Sequence, residues 1–240
     1  MVIITIAVAF ILLSAGLAFC GWRFLGTFKK NYNQKTQSKI GFLLSLYFLG
    51  FTFQTGGILG LGLIFLVKNL TGFFLLLIIA HSFLVFLAIL GTYTAYFIFW
   101  PKNSPWLAIT FVSVLGVLGV ILTIIAHPYP VLTSYGGVDW SLPQSLSLII
   151  FFLLLSSIGA VFYVFARLFF QSKTNEIKML SLILTIMTAG GIIDAFIQFV
   201  LLYGESASLR ANTHNIFIGL VGVGSLLAFL ALSCNKPVKT

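Results

Sequence analysis

The sequence predicts an all-α fold: a polytopic membrane protein built as a seven-transmembrane-helix bundle, with the N-terminus outside and the C-terminus cytoplasmic. Three observations carry that prediction. Of 240 residues, 60% are hydrophobic and only 7% are charged, where soluble chains are about a quarter charged. Seven long apolar stretches follow one another, and the cations gather almost wholly on one side of them. The same composition excludes other classes. Apolar content is too high for intrinsic disorder, the 22 Gly show no period of three, and two Cys cannot staple a disulfide scaffold.

A hydrocarbon core is about 30 Å thick, so a helical span needs roughly 20 mostly apolar residues. Within a single domain, residues 1–240, such stretches run at about Val2–Cys20, Ile40–Val67, Gly72–Trp100, Trp106–Ala126, Ser145–Arg167, Met179–Tyr203 and Ile216–Ser233. In lipid every backbone N–H and C=O must be paired internally, by a helix or by a closed barrel. These runs are continuous, without the two-residue alternation of barrel strands, which selects helices.

The first span is N-terminal and apolar, as a signal peptide is, but its cations follow it instead of preceding it. Bulky Phe19 before Cys20 argues against lipoprotein processing, so the span is read as a permanent helix. The basic loop after it is read as a topology anchor on anionic lipid, with a docking surface as the alternative. The second span holds Gln54 and the run Gly56-Gly57-Ile58-Leu59-Gly60-Leu61-Gly62. Gly56 and Gly60 form a GxxxG that suits close packing within the bundle or between copies, so an oligomer is compatible with it. Asn69-Leu70-Thr71 has the form of a glycosylation acceptor and is read as an ordinary turn. His81 lies in the third span. The segment His127–Gln144 contains Pro128, Pro130, Gly136, Gly137, Asp139, Trp140 and Pro143 and no cation. It predicts turns, with either a small hairpin lid over the bundle or a plain connector. The sixth span holds Ala189-Gly190-Gly191, Asp194 and Gln198, and His214 and Asn215 precede the seventh.

Orientation follows the cations. Arg23, Lys29, Lys30, Lys35, Lys39, Lys102, Arg167, Lys173, Lys178, Lys236 and Lys239 fall on one side, and Lys68 and Arg210 on the other. The four Trp (Trp22, Trp100, Trp106 and Trp140) all lie at span ends or in short loops, as an interfacial belt requires. The net charge of +9 is explained by the lipid bilayer as partner, and no aromatic-basic face exists to bind nucleic acid. Cys20 and Cys234 both fall near the cytoplasmic face, where thiols stay reduced. All six prolines lie outside the spans, which predicts unbroken helices.

An ionisable side chain at membrane depth costs about 2.5–3.5 kcal/mol on insertion scales, so each one is a functional candidate. Asp194 is the only carboxylate inside a predicted span, and it and His81 each lie about 14 Å from the outer end of their helices. That shared depth predicts that the two pair if the third and sixth spans meet. With Gln198 and Gln54 they form a candidate ligand or proton site, with His127, His214, Asn215 and Trp140 as its rim. The bland alternative is interhelical glue, at about 0.6 kcal/mol per polar contact. No metal ligand set, catalytic residues or cofactor are expected. The three His lack paired ligand spacing, no nucleophile elbow or phosphate loop occurs, and residues 211–235 contain no Lys for a retinal Schiff base. The chain is therefore read as a non-enzyme.

The seven spans, the outside N-terminus and the loop Gly136-Gly137-Val138-Asp139-Trp140 resemble the seven-helix sensor regions of bacterial histidine kinases. The resemblance implies a receptor-like or sensory cell-membrane protein that binds a small apolar or amphipathic ligand in the outer half of the bundle. No kinase region follows the last span in this sequence, so the expected output is a separate cytoplasmic signalling partner. A three-one-three layout is shared with transporters of the sugar-efflux type, which leaves a small-solute or proton-coupled transporter as one alternative. A structural subunit of a larger membrane complex is the other.

Overall fold

The computed structural model describes residues 2–30, 35–61, 69–128, 131–132, 138–139 and 142–234. Its helices are α1 (Val2–Lys30), α2 (Lys35–Thr52), α3 (Leu70–Phe99), α4 (Trp106–Ala126), α5 (Gln144–Leu154), α6 (Ala160–Gln171), α7 (Asn175–Phe196) and α8 (Ala207–Cys234). A π segment, Leu155–Gly159, joins α5 to α6 as one rod, and two others, Phe53–Leu61 and Ile197–Leu201, continue α2 and α7. Five rods are long and apolar enough to cross a membrane: Lys35–Gly60, Thr71–Phe99, Trp106–Ala126, Gln144–Gln171 and Ile177–Leu201. The chain is thus an α-helical, multi-pass membrane protein. In α1 the apolar described stretch is Phe10–Gly26. That helix runs ten residues past its predicted end, because hydropathy marks only the greasy part of a helix.

Neighbouring rods are antiparallel. From Lys39 through Gln54, α2 and its π continuation meet α3 in descending order: Lys39 Nζ donates to Tyr93 Oη at 3.0 Å, and Gln54 Nε2 donates to the Ala80 carbonyl at 3.2 Å. Packing then closes a ring: α1 lies on α2 and α8, α2 on α3, α3 on α5 and α6, α6 on α7, and α7 on α8. Helix α4 stands outside this ring against α3 and α5. Its outward stripe, Leu107, Phe111, Val114, Leu118, Ile121 and Ile125, is exposed, as a lipid-facing surface is. Its inward stripe is Val112, Gly116, Gly119 and Thr123, small residues that let the backbones approach. The GxxxG of the second span also packs inside the bundle, Gly56 against Ser14 and Gly60 against Phe10 and Ile11 of α1.

Two apolar cores hold the ring. One gathers Leu44, Tyr47, Phe48, Val161, Phe165 and Leu184 from α2, α6 and α7; the other gathers Leu84, Ala88, Val112, Leu146 and Leu153 from α3, α4 and α5. Between them α3 and the π turn of Leu155–Gly159 come into backbone contact. A Cβ on Gly91 would lie 2.9 Å from the Ser157 carbonyl oxygen, while Ser157 Oγ shares a hydrogen bond of 3.1 Å with Tyr47 Oη.

The expectation of unbroken helices needs correction. Proline is one way to interrupt a helix; here π turns do so, and at two of the three segments hydroxyls donate to backbone carbonyls nearby. Thr52 and Thr55 donate to the carbonyls of Phe48 and Phe51 at 2.9 and 2.8 Å, and Ser156 donates to that of Phe152 at 2.7 Å. In the third segment the Leu202 N–H reaches back five residues to the Ile197 carbonyl at 2.8 Å.

Between α4 and α5 two short strands, Val131–Leu132 and Val138–Asp139, pair antiparallel, and the second touches α8. Of this segment the two strands are paired as a hairpin's are, and the residues between them, 133–137, lie outside the described residues. Asn69 is the N-cap of α3, its Oδ1 accepting from the Gly72 N–H at 3.0 Å, which accounts for the residue without glycosylation.

Candidate functional site

A chamber of about 240 Å³ occupies the middle and hairpin-bearing half of the ring. Six rods contribute to its wall, and α4 does not. Most of the lining is apolar, including Phe10, Phe48, Phe51, Phe199 and Phe217. The polar groups in it are few: Tyr47, Gln54, Thr55, His81, Thr188, Asp194 and His214.

Asp194 and His214 meet. Nδ1 of His214 lies 2.9 Å from Oδ2 of Asp194, with side chains 21% and 13% exposed. A carboxylate only accepts, so the imidazole Nδ1–H is the donor. The meeting follows from the turn between α7 and α8. Gly204 takes φ of 90°, a left-handed conformation that suits glycine, and Arg210 clamps the loop by donating to the Glu205 carbonyl at 2.8 Å. The two residues stand ten positions either side of Gly204, so the antiparallel helices that leave the turn carry them to similar heights. The second carboxylate oxygen, Oδ1, is buried without a hydrogen-bond partner among the described residues.

His81 does not reach Asp194, which corrects the predicted pair. Its Nδ1 lies 2.7 Å from Thr123 Oγ1 on α4, and that hydroxyl donates onward to the Gly119 carbonyl at 2.8 Å. The hydroxyl's one proton is thus spent, so the ring donates to it through Nδ1–H. The physical reason is adjacency: α3 packs on α2, α4, α5 and α6, whereas α7 packs on α6 and α8. Equal depth put both residues on one chamber without putting them in contact. Thr123→Val, which removes the acceptor while keeping the shape, is expected to cost about 1 kcal/mol, seen as a lower thermal midpoint in detergent; an unchanged midpoint would mean the bond carries no weight.

Gln54 lines the chamber. It is 7% exposed, and its Nε2 donates to the Ala80 carbonyl, which fixes the amide orientation and leaves Oε1 buried without a partner among the described residues. Gln198 is displaced from the chamber wall. It stands one turn from Asp194, yet Asp194 and Phe199 line the chamber and Gln198 does not. Its Nε2 is buried and unpartnered among the described residues. Of the expected rim, His214 belongs to the chamber itself. His127 caps α4 in the left-handed conformation, φ 42°, and stacks on Phe74 at 4.2 Å, away from the wall. Asn215 lies on α8, and Trp140 lies outside the described residues. Among the described residues no group of three or more His, Cys, Asp or Glu is arranged to hold a metal ion.

No family model, curated protein or solved structure matches this chain.

Proposed function

We propose that the chain is a seven-span cell-membrane protein of receptor-like or sensory type, binding a small apolar or amphipathic ligand in the outer half of its bundle without enzymatic chemistry or a cofactor. The chamber with the Asp194–His214 pair in its wall carries this reading. A binding pocket is concave and mostly apolar with a few convergent polar groups, and about 240 Å³ suits a small ligand. Helices α1 and α8 supply the two further spans, since they complete the ring beside the five apolar rods. The cytoplasmic end is the one where Lys39 lies over Phe97 at 4.3 Å and Arg167 over Phe99 at 4.7 Å, with Trp100 stacked on Tyr163. Cations on aromatic rings at one rim agree with the positive-inside distribution. A separate signalling partner would read the basic surface at that end.

The test is ligand binding by the purified chain in nanodiscs. Small amphiphiles are expected to raise its melting temperature, and Gly191→Leu, which projects a side chain into the chamber, is expected to remove that response. A response that survives Gly191→Leu would place binding elsewhere and overturn the reading.

The transporter reading is favoured by one observation: the π segments of Phe53–Leu61 and Leu155–Gly159 both contribute to the chamber wall, and π turns are places where helices bend. Proteoliposomes decide between the two. Flux with a pH dependence that Asp194→Asn abolishes supports a transporter, and binding without flux supports a sensor.

A further inference from the structure

Hydrogen-bonding capacity in the chamber is lopsided. The threonine hydroxyls of the wall have spent their donors, Thr55 on the Phe51 carbonyl and Thr188 on the Leu184 carbonyl at 2.7 Å, and the Tyr47 hydroxyl shares one hydrogen bond with Ser157. The Nδ1–H of each wall histidine is committed, to Thr123 and to Asp194. Acceptors remain free. Asp194 Oδ1 and Gln54 Oε1 are buried and unpartnered among the described residues, and a neutral ring donating through Nδ1 offers Nε2 as an acceptor at His81. Among the described residues no Lys or Arg lines the chamber, while aromatic rings do.

We infer that the chamber takes a small amphipathic amine, its ammonium donating to Asp194 Oδ1, with Gln54 Oε1 accepting a further polar hydrogen and the apolar body lying among Phe10, Phe48, Phe51 and Phe217. This rests on the proposed ligand-binding function and names its ligand class. A buried unpaired acceptor is costly, so the ligand that fits is the one that supplies donors. With the His214 ring neutral, a carboxylate in an apolar chamber without Lys or Arg among its described lining calls for a cation, and the negative faces of aromatic rings attract the same charge. A ligand carboxylate is excluded by the same logic, since it would add acceptors and a like charge.

The test compares three probes of one shape, phenethylamine, 2-phenylethanol and 3-phenylpropanoate, by titration calorimetry on the full chain in nanodiscs, with empty nanodiscs subtracted. The amine is expected to bind at least tenfold more tightly than the alcohol, and the carboxylate not to bind. Asp194→Asn keeps an acceptor for His214 but removes the charge. It is expected to weaken the amine at least tenfold while leaving the alcohol within about twofold. Gln54→Leu is expected to weaken the amine by a smaller factor, severalfold. If the alcohol or the carboxylate binds as tightly as the amine, and Gly191→Leu abolishes that binding, the amine class is overturned and the chamber reading stands. If no probe binds, or none responds to Gly191→Leu, both fall. The comparison on the unmodified chain needs no variant, so a poorly folding Asp194→Asn leaves the inference open to refutation.

Discussion

His214→Leu is expected to make the bundle unfold more easily by about 2 kcal/mol, and Asp194→Leu by at least as much, while the double variant returns to within about 1 kcal/mol of the unmodified chain. Removing one partner strands the other's polar group in an apolar wall. Removing both replaces two desolvated groups by packing. The figure is set between two limits. A polar contact between membrane helices is worth about 0.6 kcal/mol on average, and breaking a fully buried ion pair costs about 3–5 kcal/mol. The side chains here are 21% and 13% exposed, which places them between those cases. Thermal or SDS unfolding of the four proteins in one detergent measures the cycle. A double variant less stable than either single one would make the pair a structural tie, and the case for a ligand site would lose its centre.

Gly91→Val is expected to cost about 3 kcal/mol, the upper end of the overpacking range, with a matching fall in the thermal midpoint. The obstruction a Cβ meets there is backbone, the Ser157 carbonyl at 2.9 Å and its Cα at 3.3 Å, which cannot rotate aside as a side chain does. The same insertion pushes on Tyr47, whose ring would be 3.2 Å away and whose hydroxyl is bonded to Ser157. Gly219→Ala is the control. Nothing lies within 4 Å of a Cβ at that position, so stability should hold or rise by up to about 1 kcal/mol from helix propensity. Equal effects at the two glycines would refute the close approach of α3 to the π turn.

Composition and hydropathy made the rods legible because lipid demands helices with greasy surfaces, and their approximate bounds followed from membrane thickness alone. Which rods touch was not legible. Apolar helices differ little in sequence from one side to the other, so depth could be counted but azimuth could not. Asp194 and His81 illustrate the limit: both belong to the chamber, yet each is bonded to a different residue. The true partner of Asp194 did leave a signal. Asp194 and His214 are equidistant from Gly204, and two helices joined by a tight turn bring residues at similar distances from it to similar heights. Counting outward from the turn finds the pair, where counting inward from each span's end did not. The π segments were not legible: Thr55 and Ser156 beside them donate to the carbonyl four residues back, but so do Thr94 and Thr123 inside uninterrupted α-helices. The commitment of the wall's donors could not be read without coordinates, because it depends on where every hydroxyl points.

A π turn holds a surplus residue for the length of helix it occupies. Deleting one residue from an ordinary span such as α4 would rotate everything beyond the deletion by about 100°, turning its greasy outer stripe toward α3 and α5. Deleting one from 155–159 lets the winding tighten to the α form instead, and the flanking helices keep their azimuths. Length changes of a single residue are therefore tolerated at these π segments and punished in an ordinary span, and a scan of one-residue deletions along the chain would print the positions of the π turns as islands of survival.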